Sequence, residues 1–479
     1  MNNKLKQWWT NLKSFDWKMY LALCLLALVP AIYQTVITGL ISTKTSPGSL
    51  DIVGQMEWFD LIDETICAFL IIPMYSILSR AKKTDSFNKI VFKLGIIVVG
   101  LYALFSIGTF FYGIHLVSYM NPNEIDVHAA YRYLSLETVA FMIGIIFSYV
   151  SVVFIVIDKS KYMYAFLIAK ILLALVSDFL LVPYIGIDGI AVSNIIANII
   201  MSTLGLVLLI YGDYIRIGKY DRRDTTYFKD WARIGLFAGG QQFLDNIIYA
   251  LMIVRMVNAV SESGNYWVSN NFIWGWLLIP ITCLAEIIRK DAGENGYKLK
   301  QLNYYSITAF AIIVWFTLIP TYQWFFGTVE RLNNPEVIFS IVVKNLGFYV
   351  AYAFSQIPDA IFVGMGKTKY NAINSLICNI VYYGIWFILY QTKVVTMSTD
   401  MIIIMFGCGN IVHWIVSLVE EKVFLRLELQ AISTDSPWPI SPPGETGLLK
   451  NSSDEFLNNP ATFFSARDPA VFALKYSIY

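Results

Sequence analysis

Two carboxylates occupy places where a carboxylate is costly. Asp178 sits in "ALVSDFLLVPYIG" and Asp245 in "GGQQFLDNIIYA", each deep within an apolar run. An ionisable side chain in hydrocarbon costs a few kcal/mol, so its presence points to function. Burial disfavours the charged form of a carboxyl group and suits it to proton exchange; the blander reading of each is a hydrogen bond between helices. Lys170 precedes Asp178 by two helical turns, with Ala174 between them. It reads either as half of a charge pair or as an internal cation released when Asp178 takes up a proton. Near the start of the chain, Glu57, Asp60 and Glu64 recur at spacings of three and four, with Asp63 among them. That spacing puts them on one helical face, as a solvated outer rim or as an acidic funnel that draws in cations. Neutral polar residues such as Gln241, Gln242 and Asn271 line a cavity or join helices.

Other chemistries find little support. The cysteines Cys24, Cys67, Cys283, Cys378 and Cys408 all lie in apolar runs without a C-x-x-C pair, so neither a disulfide framework nor a zinc site is suggested. Of the histidines only His413 is within an apolar run, His115 and His128 being assigned to an outer loop. A metal triad or a His-based catalytic pair is not indicated. An intramembrane acyltransferase is the enzymatic alternative, and His413 alone does not sustain it.

The elements that hold these residues follow from composition. Of 479 residues, 57% are hydrophobic and 14% charged, against about 25% charged in soluble domains. The formal net charge is +1 and no basic stripe occurs, so no nucleic-acid partner is implied. A spanning helix needs about 20 apolar residues. About twelve runs qualify, near 19–42, 54–79, 94–117, 133–157, 162–183, 189–212, 231–258, 266–288, 302–325, 337–363, 370–391 and 401–424. The first lacks a small-residue cleavage site and is expected to remain as a spanning helix. Alternate connections hold roughly 23 Lys and Arg residues, the others about four; the positive-inside rule then places both termini in the cytoplasm of a multi-pass protein of the cell (inner) membrane.

The chain repeats itself. "DKSKY" at 158–162 returns as "GKTKY" at 366–370, and "FLIIPMYSILSRA" at 69–81 resembles "WLLIPITCLAEII" at 276–288, shifts of 208 and 207 residues. Asp188 and Asn198 are echoed by Asp400 and Asn410, 212 residues on. Each pair shares an orientation, which predicts two parallel six-helix bundles, at 19–212 and 231–429, about an axis along the membrane normal, with a substrate site at their interface. Residues 1–18 form a cytoplasmic N-terminus, 213–230 a charged cytoplasmic linker, and 430–479, rich in Ser, Pro and Asn, a tail expected to be disordered.

Over about 19–427 the sequence resembles the multidrug and toxic compound extrusion (MATE) family. "RIGLFAGGQQFLD" is similar to that family's R-x-G-x-P-x-G start of the seventh helix, followed by an acidic residue, with Asp245 in the place of the usual Glu and Phe237 in that of Pro. "ALVSDFLLVPYIGIDGIAVSN" resembles N-x-x-x-D, a loop and G-A-A-x-A-T; Asp178 and Gly189 match, Ala174 replaces the Asn and Asn194 the Thr. "GMGKTKY" resembles the G-x-G-x-T-K turn after the tenth helix. The resemblance implies an all-α polytopic fold and a monomeric secondary antiporter. It would export amphipathic, cationic compounds in exchange for H⁺ or Na⁺, with no prosthetic cofactor. Asp178, Asn194 and Asp245 would then serve coupling, and Lys170, Gln241, Gln242 and Asn271 the substrate cavity. Two departures stand out: residues 19–50 contain no acid where many relatives have a first-helix Asp, and Asp359 lies about two turns past the family's tenth-helix carboxylate, an interfacial position. The alternative is a flippase for lipid-linked oligosaccharide, which needs inward Arg or Lys for a pyrophosphate; the deep charges here are mostly acidic.

Overall fold

The computed structural model describes residues 12–433 other than 14, 47, 83, 123–125, 217–223, 261–262 and 296–300. The side chains of Gln241 and Asp245 also lie outside the described residues. Among the described residues twelve helical passes can be traced. The first half contains α1 (Trp17–Lys44), α2 (Ser49–Ala81), α3 (Phe87–Met120), α4 (Val127–Val156), α5 (Ser160–Ile185) and α6 (Asp188–Tyr211). In the second half, α7 runs as Asp224–Ile248, then through a π-helical stretch Tyr249–Val254 to Arg255–Asn258. α8 comprises Ser263–Phe272, Ile273–Leu277 and Ile279–Asn295, bent by 50°. α9 is Gln301–Trp324 continued by Phe325–Val329, and α10 is Pro335–Gly364. α11 is built of Lys369–Leu376, Ile377–Tyr382 and Tyr383–Gln391, and α12 is Thr399–Ser433. Helix α7 begins at Asp224, inside the expected 213–230 linker, and α12 passes the expected boundary at 429. His115 belongs to the last turns of α3 rather than to a loop. Residues 434–479, most of the expected tail, lie outside the described residues.

Ten of these helices are long and apolar enough to cross a membrane, and the bent pair in α8 makes eleven. α7 falls short because Gln241, Gln242, Asp245 and Asn246 interrupt its apolar run. Apolar side chains on all sides are what a helix needs when lipid surrounds the bundle; Phe111 on α3 and Leu180 on α5 lie outward and exposed.

The internal repeat is a repeat of geometry. Asp158 and Gly366 both take a left-handed conformation, φ 61° and 71°. Lys159 N–H then donates to Phe154 O at 2.8 Å and Lys367 N–H to Phe362 O at 2.7 Å, the capping bond of a helix that ends in a left-handed residue. Both α2 and α8 break just before a proline, Pro73 and Pro280, 207 residues apart. Proline supplies no N–H, so each break falls where the helix has lost a bond. The packing of α4 against α3 and α6 recurs as α10 against α9 and α12.

Turns rich in Lys and Arg gather at one end of the molecule, here the basic end. The halves meet along α2 with α7 and α1 with α8. Toward the basic end, Trp231 Nε1 donates to Leu70 O at 3.1 Å and Tyr20 O–H to Pro280 O at 3.1 Å. Close approach of α7 to α2 requires Gly239, where a Cβ would lie 2.1 Å from the Phe69 ring. At the opposite end the short helix Ser49–Gln55 of α2 docks on the start of α8. There Gln55 Nε2 donates to Ser263 Oγ at 2.7 Å and Gly264 N–H to Asp51 Oδ1 at 2.7 Å. The fully buried Asn258 donates to Asn121 Oδ1 at 2.8 Å and Gln55 O at 2.9 Å, and accepts from Trp267 Nε1 at 3.2 Å.

Candidate functional site

A cavity of about 210 Å³ lies mainly within the first bundle, walled by α1, α2, α4, α5 and α6 and closed by Trp267, Val268 and Asn271 of α8. The sequence places it at the interface between the halves; instead α4, α5 and α6 supply much of the wall, and among the described residues α7 supplies none. Pro30 lies in α1 where that helix borders the cavity.

Four carboxylates and one ammonium face this space: Glu57, Asp60 and Asp63 from α2, Glu137 from α4 and Lys170 from α5. Asp63 is buried; the Tyr102 hydroxyl donates to its Oδ1 and the Cys67 thiol to its Oδ2, at 3.8 Å from sulfur. Glu137 is buried and accepts from Asn194 Nδ2 at 3.4 Å. Deeper on α6, Asn198 Nδ2 donates to Ala140 O at 2.8 Å, fixing α6 against α4. Lys170 Nζ stands 5.1 Å from the centre of the Phe147 ring, with Asp63 and Glu137 the carboxylates that act on it.

Asp178 is fully buried and does not line the cavity. Its Oδ2 accepts from the Tyr33 hydroxyl of α1 at 3.0 Å, with Ser193 close by. Tyr33 does line the cavity, so one side chain separates Asp178 from it. Lys170 and Asp178 form no ion pair: eight residues set them about 12 Å apart along α5 and about 80° apart around it, and Asp178 is held by Tyr33 instead.

The residues singled out in the sequence divide accordingly. Lys170, Asn194 and Asn271 border the cavity. Glu57 and Asp60 are half-buried in its wall rather than spread on an exposed rim. Glu64 turns to the contact between halves, where Asn246 Nδ2 donates to it at 2.8 Å and Gln242 donates to Asn246 at 2.9 Å. Gln242 therefore joins helices. Gln241 and Asp245 have side chains outside the described residues. Sequence reading names Asp63 only as a member of the acidic stripe and does not single out Glu137 or Tyr33. Glu137 lies in "RYLSLETVAFM", and the criterion that selected Asp178, an acid in an apolar run, applies to it as well. Among the described residues no group of three or more His, Cys, Asp or Glu is placed to hold a metal ion.

Four acids and one base within a low-dielectric wall make the lining predominantly acidic.

No family model matches the sequence, and no curated protein is significantly similar to it. Solved structures are similar in fold. One is an inward-facing multidrug-resistance MATE family transporter of the MOP superfamily, with TM-score 0.68 and 16% identity, covering 86% of this chain and 99% of that one. An outward-facing MATE transporter gives TM-score 0.59 at 17% identity, covering 87% and 96%. A MOP superfamily transporter from Pyrococcus furiosus, described as having a binding pocket of reverse polarity that suggests a different function, gives TM-score 0.60 at 16% identity over 87% and 96%. The chain has the all-helical fold of these membrane transporters, which are not enzymes.

Proposed function

We propose that the chain is a secondary antiporter of the MATE type that exports amphipathic, cationic small molecules in exchange for H⁺ or Na⁺. The observation that carries this reading is the sign of the cavity, in which four carboxylates outnumber the single Lys170. A transporter of this fold is described as having reverse pocket polarity and, by suggestion, a different function, so charge sign is the feature to read. A lipid-linked pyrophosphate would meet mostly acids here, which disfavours the flippase alternative. Coupling is assigned to Asp178 and to Glu137 with Asn194, and in the second half to Asp245. The protein works as a monomer in the cell (inner) membrane, the basic end and both termini facing the cytoplasm, and alternates access between its two faces.

The purified chain in proteoliposomes tests this. With a fluorescent organic cation such as ethidium inside and an imposed pH or Na⁺ gradient, gradient-driven movement is expected. Movement that ignores both gradients overturns the antiport reading. Movement of a lipid-linked pyrophosphate analogue in place of the dye overturns the choice of substrate.

A further inference from the structure

A second buried polar cluster shares no residue with the cavity lining and lies near the basic end of the second half. It is carried by α10, α11 and α12. Asp359 of α10 is bound through both oxygens: His413 Nε2 lies 2.7 Å from Oδ2, and Ser417 Oγ donates to Oδ1 at 2.7 Å. Asn374 of α11 donates to Ser417 Oγ at 2.8 Å, and the Cys378 thiol to Asn374 Oδ1 at 3.4 Å. His413, Ser417 and Glu420 follow one another at i, i+4 and i+7, one face of α12. Glu420 is only 8% exposed, and neither of its carboxyl oxygens has a hydrogen-bond partner among the described residues. The groups that act on Glu420 are Asp359 and His413; those that act on His413 are Asp359 and Cys378.

This arrangement has one incomplete member. Asp359 has its donors, and His413 has its acceptor. Glu420 has neither a donor nor a countercharge in contact. Burying a carboxylate with both oxygens unpaired is strongly unfavourable, whereas a carboxylic acid is tolerated. A partly exposed His413, 30% by side chain, lies on the same face as Glu420 and gives the cluster an edge open to its surroundings. Other ionisable groups nearby include Glu421 and Lys422, next to Glu420 on α12, Arg289 paired with Glu286 on α8, Lys367 before α11 and Lys369 at its first position.

We propose that Glu420, with His413 and Asp359, forms a proton-binding site in the second bundle, separate from the acidic cavity and reached from the basic end. In the loaded state the Glu420 carboxyl holds the proton. On release its O–H bond breaks, the proton leaves by way of water at the His413 edge, and the carboxylate that remains faces an imidazolium fixed by Asp359. No other bond forms or breaks. The site requires nothing of the cavity or of the transported molecule.

Infrared difference spectroscopy on the full chain in lipid bilayers, recorded as pH is raised without any substrate, reads this directly. The expected result is a carboxylic-acid C=O band that disappears with rising pH, is absent from Glu420→Gln, and does not respond to Na⁺ at constant pH. In His413→Gln the band persists but its midpoint moves. A band unchanged by Glu420→Gln, or one removed by Na⁺ alone, overturns the proposal. Because a misfolded variant also loses the band, wild-type protein labelled with ¹⁵N-histidine supplies a second reading. With three histidines in the chain, the His413 resonance can be identified, and it is expected to change over the same pH range as the band; a resonance that stays constant across that range overturns the site. Neither reading uses transport, so this proposal and the antiport reading fail separately.

Discussion

The hydroxyl of Tyr33 on α1 donates to Asp178 on α5 at 3.0 Å, and so the first helix, which has no acid, still reaches the buried carboxyl of the fifth. Tyr33 faces the cavity and Asp178 lies behind it. A molecule or ion that moves the tyrosine ring therefore also acts on the carboxyl.

Asp178→Asn is expected to abolish gradient-driven dye transport in proteoliposomes while leaving the protein folded in the bilayer. Tyr33→Phe removes a hydrogen bond worth about 1 kcal/mol and should slow transport by roughly fivefold. Normal coupled transport in Asp178→Asn would reduce that residue to a joint between helices.

Lys170 opposes the acids around it. Removing its charge should strengthen the hold of the cavity on a cation by at least about 1 kcal/mol, the scale of two charges a few ångströms apart in a wet site. Lys170→Met is thus expected to tighten ethidium binding roughly fivefold, and Glu137→Gln to weaken it by a similar factor. Fluorescence titration of the detergent-solubilised protein at low salt measures both; a weaker-binding Lys170→Met would show that the ammonium orders the site rather than repelling the ligand.

The helices, their orientation relative to one another and the repeat were all legible in the sequence, because an apolar run of spanning length and the chemistry of a helix-ending turn are local properties. Asp158 and Gly366 illustrate this, since the residues around each turn spell the same backbone. What was not legible is rotation about each helix axis. Lys170 and Asp178 sit eight residues apart and look like partners along the chain, yet about 80° around the axis and about 12 Å along it turn one to the cavity and the other to Tyr33. The same applies to Glu64, which shares a stripe with Glu57 and Asp60 but is claimed by Asn246 across the contact between halves. Asp359 was read from its depth alone as interfacial; its partners His413 and Ser417 come from α12, more than 50 residues away. Position along a helix is written in the sequence, and the neighbour that fills the facing groove is not.

Glu330 gives a pH dependence with a definite sign. It lies in the turn between α9 and α10, 4% exposed, where its backbone packs on Gly39 of α1 and Ser42 O–H donates to the next carbonyl, Arg331 O, at 3.0 Å. Burial pushes its carboxyl up from 4.5 to about 8. The folded protein then holds this proton more tightly than the unfolded chain. Its contribution is complete below about pH 4.5, declines as pH rises and is lost by about pH 8. Thermal unfolding in detergent should show wild type losing stability between pH 5 and 9 by more than Glu330→Gln does. Parallel curves for the two proteins would mean that Glu330 is ionised in the folded state.

The contact at the end opposite the basic turns must break if that end opens. Gln55 and Ser263, 208 residues apart, are held 2.7 Å from each other in a buried hydrogen bond, and Asn258 beside them is enclosed by Asn121, Gln55 and Trp267. In a low-dielectric interface each of these polar groups needs its partner, so the contact is strong while closed and is exchanged for water only when the halves separate. Bridging the two positions should therefore stop turnover without disturbing the cavity. The test uses Gln55→Cys with Ser263→Cys in a chain whose five native cysteines have been replaced, linked by a short bis-thiol reagent. Linked protein is expected to bind ethidium from the basic end with unchanged affinity but to transport none, and a cleavable linker should restore transport on reduction. Either single-cysteine variant treated with the same reagent should transport normally. Transport by fully linked protein would mean that this contact stays closed throughout the cycle and that substrate leaves by another route.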